Sequence, residues 1–525
     1  MNTPTRTMHT LLLSIIFLIS SSPKISANTS DDFVTCIQSY NNSDGSIYTP
    51  ENSSFSTLLQ SMVQNFRAQT EAPLKPIAIL TPSHETEMQA AIHCSKIFGL
   101  QIRVRSGGHD FEGLSYLSHV PFVIINLVNL RSISIDTEKK TAWVEAGAIL
   151  GELYHAIAMK SPTLAFPTGT CPTIGVGGHF SGGGFGMMSR KFALSADHVI
   201  DAKIISYEGQ VLDRKSMGED LFWAIRGGGG GSFGIVTSWK IELVTVPETV
   251  TVFNVSRTLD DDTAELVHKW QYVAPKLDEN LFIRIFIDGI NGTVHTSFKS
   301  LFIGGANDLL NIMQKSFPEL GLTKADCVEM TWIESVLYMA NYPRGESIDV
   351  LLNREYAGTY FKVKSDFVTH PISVDGLEGL FEMLQEEDLP YYAGLQFSPY
   401  GGKMEEISES SLPFPHRAGI VFMIETALMW SEADTVNADR YMSWINNYYK
   451  YMTTYVSKSP RRAYVNYRDL DLGVNKYTKS STSNYMEAKK WGMQYFNNNF
   501  QRLVHVKSKV DPTNFFRHEQ SIPPF

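Results

Sequence analysis

Cys171-Pro-Thr-Ile-Gly-Val-Gly-Gly-His179-Phe-Ser-Gly-Gly-Gly-Phe-Gly186 is the stretch on which the fold turns: seven of its sixteen residues are glycine, and a thiol stands at its head. Glycine has no Cβ, so such a chain bends tightly and brings backbone N–H groups close to an anion, a way to grip phosphate without charged side chains. Two more windows share this character, Arg105-Ser-Gly-Gly-His-Asp-Phe-Glu-Gly113 and Gly227–Gly234. Residues 107–113, 169–186 and 227–234 together hold seventeen of the 38 glycines, which points to a large anionic cofactor. The triplet Gly229, Gly231, Gly234 satisfies the dinucleotide spacing but runs into a strand instead of a helix, so a nicotinamide-binding Rossmann unit is rejected. Only His179 lies near His109 and Cys171, too few ligands for zinc, and no metal is expected.

Working outward, the chain of 525 residues is long enough for three or four units of about 150 residues or two large ones. With 43% hydrophobic and 19% charged residues it reads as globular, and a net charge of −10 argues against a nucleic-acid surface or a basic membrane patch. From Ile77 strands and helices alternate: Ile77–Leu80, a helix capped by Ser83 and ending near Gly99, then strands at 102–105, 122–127 and 142–145. A helix from Ala148, a hairpin at Glu208-Gly209 and a strand from Ile235 to Leu243 complete one α+β unit over 72–247, preceded by an N-terminal segment, 28–71. Beyond Val250 the glycine clusters stop. Amphipathic helices at 262–275 and 438–456 alternate with strands at 281–287, 293–302 and 420–430, a second unit over 248–475, and 476–525 forms a helical, amide-rich end.

Residues 1–27 carry Arg6, an apolar run from Leu11 to Ile19 and a closing Ile-Ser-Ala, the pattern of a secretory signal peptide. No apolar run reaches the roughly 20 residues of a membrane span. The expected product is a secreted or vacuolar monomer, glycosylated at the sequons Asn28, Asn41, Asn52, Asn254 and Asn291. An oxidising compartment lets Cys36 pair with Cys94, anchoring the N-terminal segment with about 4 kcal/mol in the chain-entropy model. Cys327 is then a buried free thiol, and Cys171 is left for the glycine-rich window.

Four ordered strings, Arg105–His109, Cys171–Gly186, Gly218–Gly230 and Tyr464-Val-Asn-Tyr467-Arg-Asp-Leu-Asp-Leu-Gly473, give the chain a resemblance to berberine bridge enzymes that spans essentially the whole mature sequence. The resemblance implies an α+β fold: a vanillyl-alcohol-oxidase or PCMH-type FAD-binding domain, then an antiparallel-sheet substrate domain backed by helices, with the C-terminal segment returning to the flavin domain. It implies FAD bonded twice, through His109 to the 8α carbon and through Cys171 to C6. Imidazole and thiolate are nucleophiles suited to an electron-poor ring. It further implies cofactor contacts at Arg105, Ser106, Gly107, Gly108, Gly175, Gly177, Gly178, His179, Gly182, Gly183, Gly184, Gly234 and Asn514.

A flavin that accepts hydride needs a base and a clamp on the donor carbon. Glu425, flanked by Val421, Phe422, Met423, Ile424 and Ala427, is a costly carboxylate unless it is used. It stands where berberine bridge enzymes carry their catalytic glutamate, while Tyr467 matches the tyrosine of cannabinoid-forming relatives. Glu425 is favoured as base, with Tyr467 as orienting donor or alternative base and Arg468 as structural. Tyr400, Phe111, Phe192 and Met423 are expected to touch substrate. Relatives that oxidise monolignols carry polar groups at the positions of Phe111, Phe192 and Met423, so the pocket is expected to take a hydrophobic donor, a prenylated phenol or an alkaloid. Molecular oxygen is the expected acceptor, although Ile174 replaces a valine common in oxygen-using relatives. A carbohydrate or monolignol oxidase or dehydrogenase of the same fold, or a non-redox cyclase or ligand-binding flavoprotein, are the alternatives.

Overall fold

The computed structural model describes residues 28–40, 47–71, 74–260, 262–290, 292–476 and 485–525. The leader reading of 1–27 and the sequons Asn41 and Asn291 lie outside them. Two sheets carry the glycine windows. In the smaller, Ile47–Tyr48 pairs antiparallel with Ile79–Leu80, and Phe122–Asn126 and Gln101–Arg105 follow in parallel. Parallel strands covered on both faces need near-continuous apolar runs, and Phe-Val-Ile-Ile-Asn is buried at every position. The larger sheet is antiparallel, in the order Ile133–Asp136, Thr141–Glu145, Ile235–Glu242, Val199–Ile205, Val211–Leu212. The first window follows Gln101–Arg105 and the third leads into Ile235–Glu242, while the second, which contains the short helix Val176–Ser181, lies between Leu164–Ala165 and Val199–Ile205. The helix between the first parallel strands runs Glu85–Phe98, capped by His84 in place of Ser83 because Glu87 reaches back to both backbone N–H groups, and it ends at left-handed Gly99.

Residues 250–430 build a seven-stranded antiparallel sheet, ordered Val328–Met330, Val250–Thr258, Thr293–Phe302, Leu281–Ile290, Tyr392–Pro399, Phe422–Trp430, Tyr360–Val368. Period-two alternation gives it two different faces. Ile283, Ile285 and Ile287, with Phe422, Ile424, Leu428 and Trp430, pack on the helices Thr263–Val273, Val374–Leu384 and Ala438–Met452 through Trp270, Leu380 and Trp444. The opposite face presents Arg284 and Glu425 to the glycine windows.

The C-terminal helices Tyr485–Phe496 and Asn499–Val510 pack on the core below those windows. Lys507, wholly buried, donates to Asp511 and to the carbonyls of Ser232 and Phe516, fastening the third window to the chain end. The Cys36–Cys94 disulfide forms as expected and links the helix Asn28–Tyr40 to Glu85–Phe98. Cys327 departs from expectation: it is half-buried, because it ends the surface turn Lys324–Asp326. Among the described residues no helix is long and apolar enough to cross a membrane.

Candidate active site

A cavity of about 490 Å³ opens between the glycine windows and the front of the seven-stranded sheet. The windows build it in two ways. At Gly107 and Gly175 two backbones touch: a Cβ on Gly175 would stand 2.1 Å from the Gly107 nitrogen, and one on Gly107 would stand 2.2 Å from the Gly175 nitrogen. At Gly178, Gly229 and Gly231 a Cβ would meet nothing within 4 Å, so these residues face the open cavity. Close backbone packing behind and bare backbone in front make a cradle that fits the extended pyrophosphate and ring system of FAD.

Both expected nucleophiles line this cavity, and a threonine side chain bridges them. The Thr173 hydroxyl lies 3.0 Å from His109 Nε2 and 3.5 Å from Cys171 Sγ. Burial, reinforced by the nearby Arg105 charge, lowers the His109 pKa to about 3, so its imidazole is neutral and keeps a lone pair for bond formation. Tyr356 packs edge-to-face on the His109 ring at 5.0 Å. Ile174, one turn past Cys171, is on the same wall.

Across the cavity, Glu425 accepts a hydrogen bond of 3.1 Å from Gln396 Nε2 on the neighbouring strand, and the Tyr467 hydroxyl is within hydrogen-bonding reach of its carboxyl. Burial raises the Glu425 pKa above the ordinary carboxylate range, against the opposing pull of Tyr467 and the Arg284 guanidinium. Burial, then the Glu425 charge, holds the Tyr467 phenol well above its usual value. Arg284 is buried and donates through Nε to Ser398 at 3.0 Å. The site therefore holds an acid–phenol pair beside one cation, walled by Phe111, Phe361, Val363, Ala427 and Met429. Phe111 stacks on Tyr467 at 5.6 Å and 14°.

Ser106, Gly107, Gly108, Gly175, Gly177, Gly178, His179, Gly182 and Gly234 line the cavity with these residues. Other expectations need correction. Arg105 lies behind the wall, its guanidinium against Gly108 and Asn126. Gly183 and Gly184 adopt positive φ to complete a turn whose Gly184 N–H donates to Tyr464. Asn514, also at positive φ, is buried outside the cavity with its amide nitrogen and oxygen unbonded. Tyr400 sits a layer too deep: Phe185, which does line the cavity, stacks on it at 5.4 Å, and its hydroxyl is buried without a partner. Met423 shares the Glu425 face but pairs across to Ser398 and Phe367 inside the core. Phe192 is held off because Arg190, in the same short helix, is anchored to the carbonyls of Leu277, Asp278 and Tyr400. Arg468 lines the cavity and donates to Asp110 at 2.8 Å. Sequence reading missed Arg284, Gln396, Thr173 and Tyr356. Arg284 alone left a signal, as the one basic residue in Leu-Phe-Ile-Arg-Ile-Phe-Ile.

The model of the FAD binding domain family matches residues 76–214, and that of the berberine and berberine-like family matches 463–523. Tetrahydroberberine oxidase of Berberis wilsoniae is 46% identical over 531 residues, covering 99% of each chain. A monolignol oxidoreductase of Arabidopsis thaliana is 49% identical over 98% of this chain and 96% of its own. The solved structure of Phl p 4, a grass pollen allergen with glucose dehydrogenase activity, superposes with a TM-score of 0.90 at 42% identity, covering 94% of this chain and 100% of its own. A variant of that allergen with valine in place of an isoleucine is a glucose oxidase. With its flavin cradle, its acid–phenol pair and these relatives, the chain belongs to the berberine bridge enzyme-like family of FAD-dependent oxidoreductases.

Proposed function

We propose that the protein is a secreted FAD oxidase that removes a hydride from a bulky, largely apolar plant metabolite, a prenylated phenol or an alkaloid, with oxidative ring closure and reduction of oxygen to hydrogen peroxide. The observation that carries this reading is the pairing of Glu425 and Tyr467 with an apolar wall, Phe361, Ala427 and Met429, on the side of the cavity opposite the glycine windows, with Phe111 reaching across from the first window to stack on Tyr467. Bound FAD supplies a two-electron acceptor. Glu425 takes the proton of the donor's hydroxyl or ammonium group while the adjacent carbon loses hydride, and the Tyr467 hydroxyl orients the donor or stands in as base. Arg284 stabilises the anionic form of either group. His109 and Cys171 would hold the ring by covalent bonds, with Thr173 keeping both side chains in place. The hydrophobic wall excludes water from the reacting carbon.

The same reading includes cleavage of the leader 1–27, sugars on the exposed sequons Asn52 and Asn254, and a boundary near residue 248 between flavin and substrate units. The test is a donor panel with the purified glycoprotein: tetrahydroberberine, a prenylated phenol, coniferyl alcohol and glucose. Anaerobic bleaching of the flavin band and peroxide yield in air are followed for each. Fast bleaching by the first two supports the proposal. Bleaching by glucose or coniferyl alcohol alone overturns the substrate class, and no bleaching by any donor favours the non-redox alternative. Ile174 on the wall beside Cys171 supports a second reading for the acceptor, a dehydrogenase that reacts poorly with oxygen. Bleaching without peroxide would select it.

A further inference from the structure

The loop after Tyr467 is held by charges that hydride transfer does not use. Asp469 accepts from Lys362 Nζ at 2.7 Å and from Lys364 Nζ at 2.9 Å, and Lys364 also reaches Asp471 at 2.6 Å. Lys362 Nζ lies 2.6 Å from Glu112, whose other oxygen pairs with Arg67. Beside them Arg468 donates to Asp110. Four cations, Arg67, Lys362, Lys364 and Arg468, thus meet four carboxylates, and of these Arg67, Glu112, Lys362, Lys364 and Asp469 are buried. Buried ion pairs are poor stabilisers, because desolvation cancels most of the attraction and well-packed apolar residues often serve as well. What they impose is geometry, and here each pair joins segments remote in sequence.

Asp110 and Glu112 directly follow His109, on the flavin side. Arg468, Asp469 and Asp471 directly follow Tyr467, on the donor side. Lys362 and Lys364 come from the edge strand of the seven-stranded sheet. The backbone of the Tyr467 loop is held too: Asp469 N–H donates to the Tyr495 hydroxyl at 2.9 Å, and Leu470 N–H faces Glu112.

We propose that Lys362 is the positioning residue that sets the Tyr467 loop against the His109 loop, its single ammonium group gripping Glu112 on one and Asp469 on the other. The inference rests on the reading of Tyr467 and Glu425 as the proton-handling pair, and deepens it. A fixed offset between the two loops fixes the distance from the point of flavin attachment to the Tyr467 hydroxyl, and a misplacement of about 1 Å in such an arrangement costs on the order of 100-fold in rate.

The test compares holoenzyme carrying Lys362→Met with Lys362→Arg, which restores the charge. Glu112→Gln, which loosens the same bridge at constant size, replaces Lys362→Met if that variant does not fold. Crystal structures of the holoenzymes give the first readout. Lys362→Met is expected to move the Tyr467 hydroxyl out of reach of Glu425, and Lys362→Arg to return it. Stopped-flow flavin reduction by tetrahydroberberine, coniferyl alcohol or glucose gives the second: a limiting rate lowered roughly 30- to 100-fold, with half-saturation near wild type and flavin still attached. Tyr467 unmoved in the loosened variant overturns the proposal, as does an undiminished limiting rate where a donor reduces the wild type. Tyr467→Phe keeps the two claims apart. An unchanged reduction rate there removes the catalytic reading, while the crystallographic displacement still decides the positioning role.

Discussion

The two walls of the cavity are made of different material. The cofactor wall is backbone: glycines whose missing side chains allow the chains to touch at Gly107 and Gly175 and leave bare peptide at Gly178, Gly229 and Gly231. The donor wall is side chain, with Glu425, Arg284, Gln396, Phe361 and Met429 standing on alternate positions of neighbouring strands. A wall of backbone tolerates almost no change where it is packed and considerable change where it is open. A wall of side chains can alter its chemistry one residue at a time while the sheet behind it stays the same.

The sharpest way to break that contrast is to add one carbon to the packed glycines. Gly175→Ala places a Cβ 2.1 Å from the Gly107 nitrogen and the Ser106 hydroxyl, so the first two windows must part. The expected result is protein that lacks flavin and has lost about 1–3 kcal/mol to overpacking, read by the 450 nm band and by thermal unfolding. Gly178→Ala, with nothing within 4 Å of the new methyl, should fold as the wild type does and differ only in flavin content or spectrum. Equal damage from both substitutions would refute the division between packed and open glycines.

On the donor wall the next largest effect belongs to Glu425. Glu425→Gln should lower the rate of flavin reduction by roughly 10²- to 10⁴-fold, the usual range for loss of a general base, without loss of flavin. The pH profile identifies the base. Because burial raises the Glu425 carboxyl, activity that depends on its ionised form should climb as pH rises through a value above the usual carboxylate range and then level off. If Tyr467 were the base, its strongly raised phenol would place the rising limb on the alkaline side. An acid limb that survives in Glu425→Gln would exclude that carboxyl as its source.

This difference in material also explains what could be read from the sequence. The cofactor wall was legible because glycine clusters and the nucleophiles between them are local in the chain. His109, Cys171 and most of the named glycines do face one cavity, and the strands at 281–287, 293–302 and 420–430 appear within a few residues of the expected bounds. The donor wall was legible for residues that break a pattern or sit in a motif, Glu425 in an apolar strand, Tyr467 in a motif and Phe111 in the first glycine window. Gln396 and Tyr356 break none, since which strands lie side by side, and which loop covers His109, is decided by tertiary packing. Tyr400, Met423 and Phe192 were misplaced for a related reason. Their motifs lie near the site in sequence, but depth below a wall is set by neighbours such as Phe185 and Arg190 that local pattern does not reveal.

A smaller effect separates oxygen access from hydride transfer. Ile174→Val removes one methylene from the wall beside Cys171, and the expected outcome is a faster peroxide-forming reaction with anaerobic flavin reduction unchanged. Slower reduction in that variant would place Ile174 against the donor.

The smallest effect is expected at Tyr400, where the two walls meet the core. Its ring lies behind Phe185 and edge-on to Phe367, and its hydroxyl is buried with no partner. An unsatisfied buried hydroxyl costs desolvation without returning a hydrogen bond, so Tyr400→Phe should leave stability unchanged or raise it by about 1 kcal/mol. A residue that oriented the donor would behave otherwise: its removal would lower kcat/KM at least tenfold and spare the melting temperature. Measured together, the two quantities decide between a second-layer support for Phe185 and a donor contact. The packing of Phe185 between Tyr400 and the cavity predicts the first, with kcat/KM within about twofold of wild type because no bond to the donor has been removed.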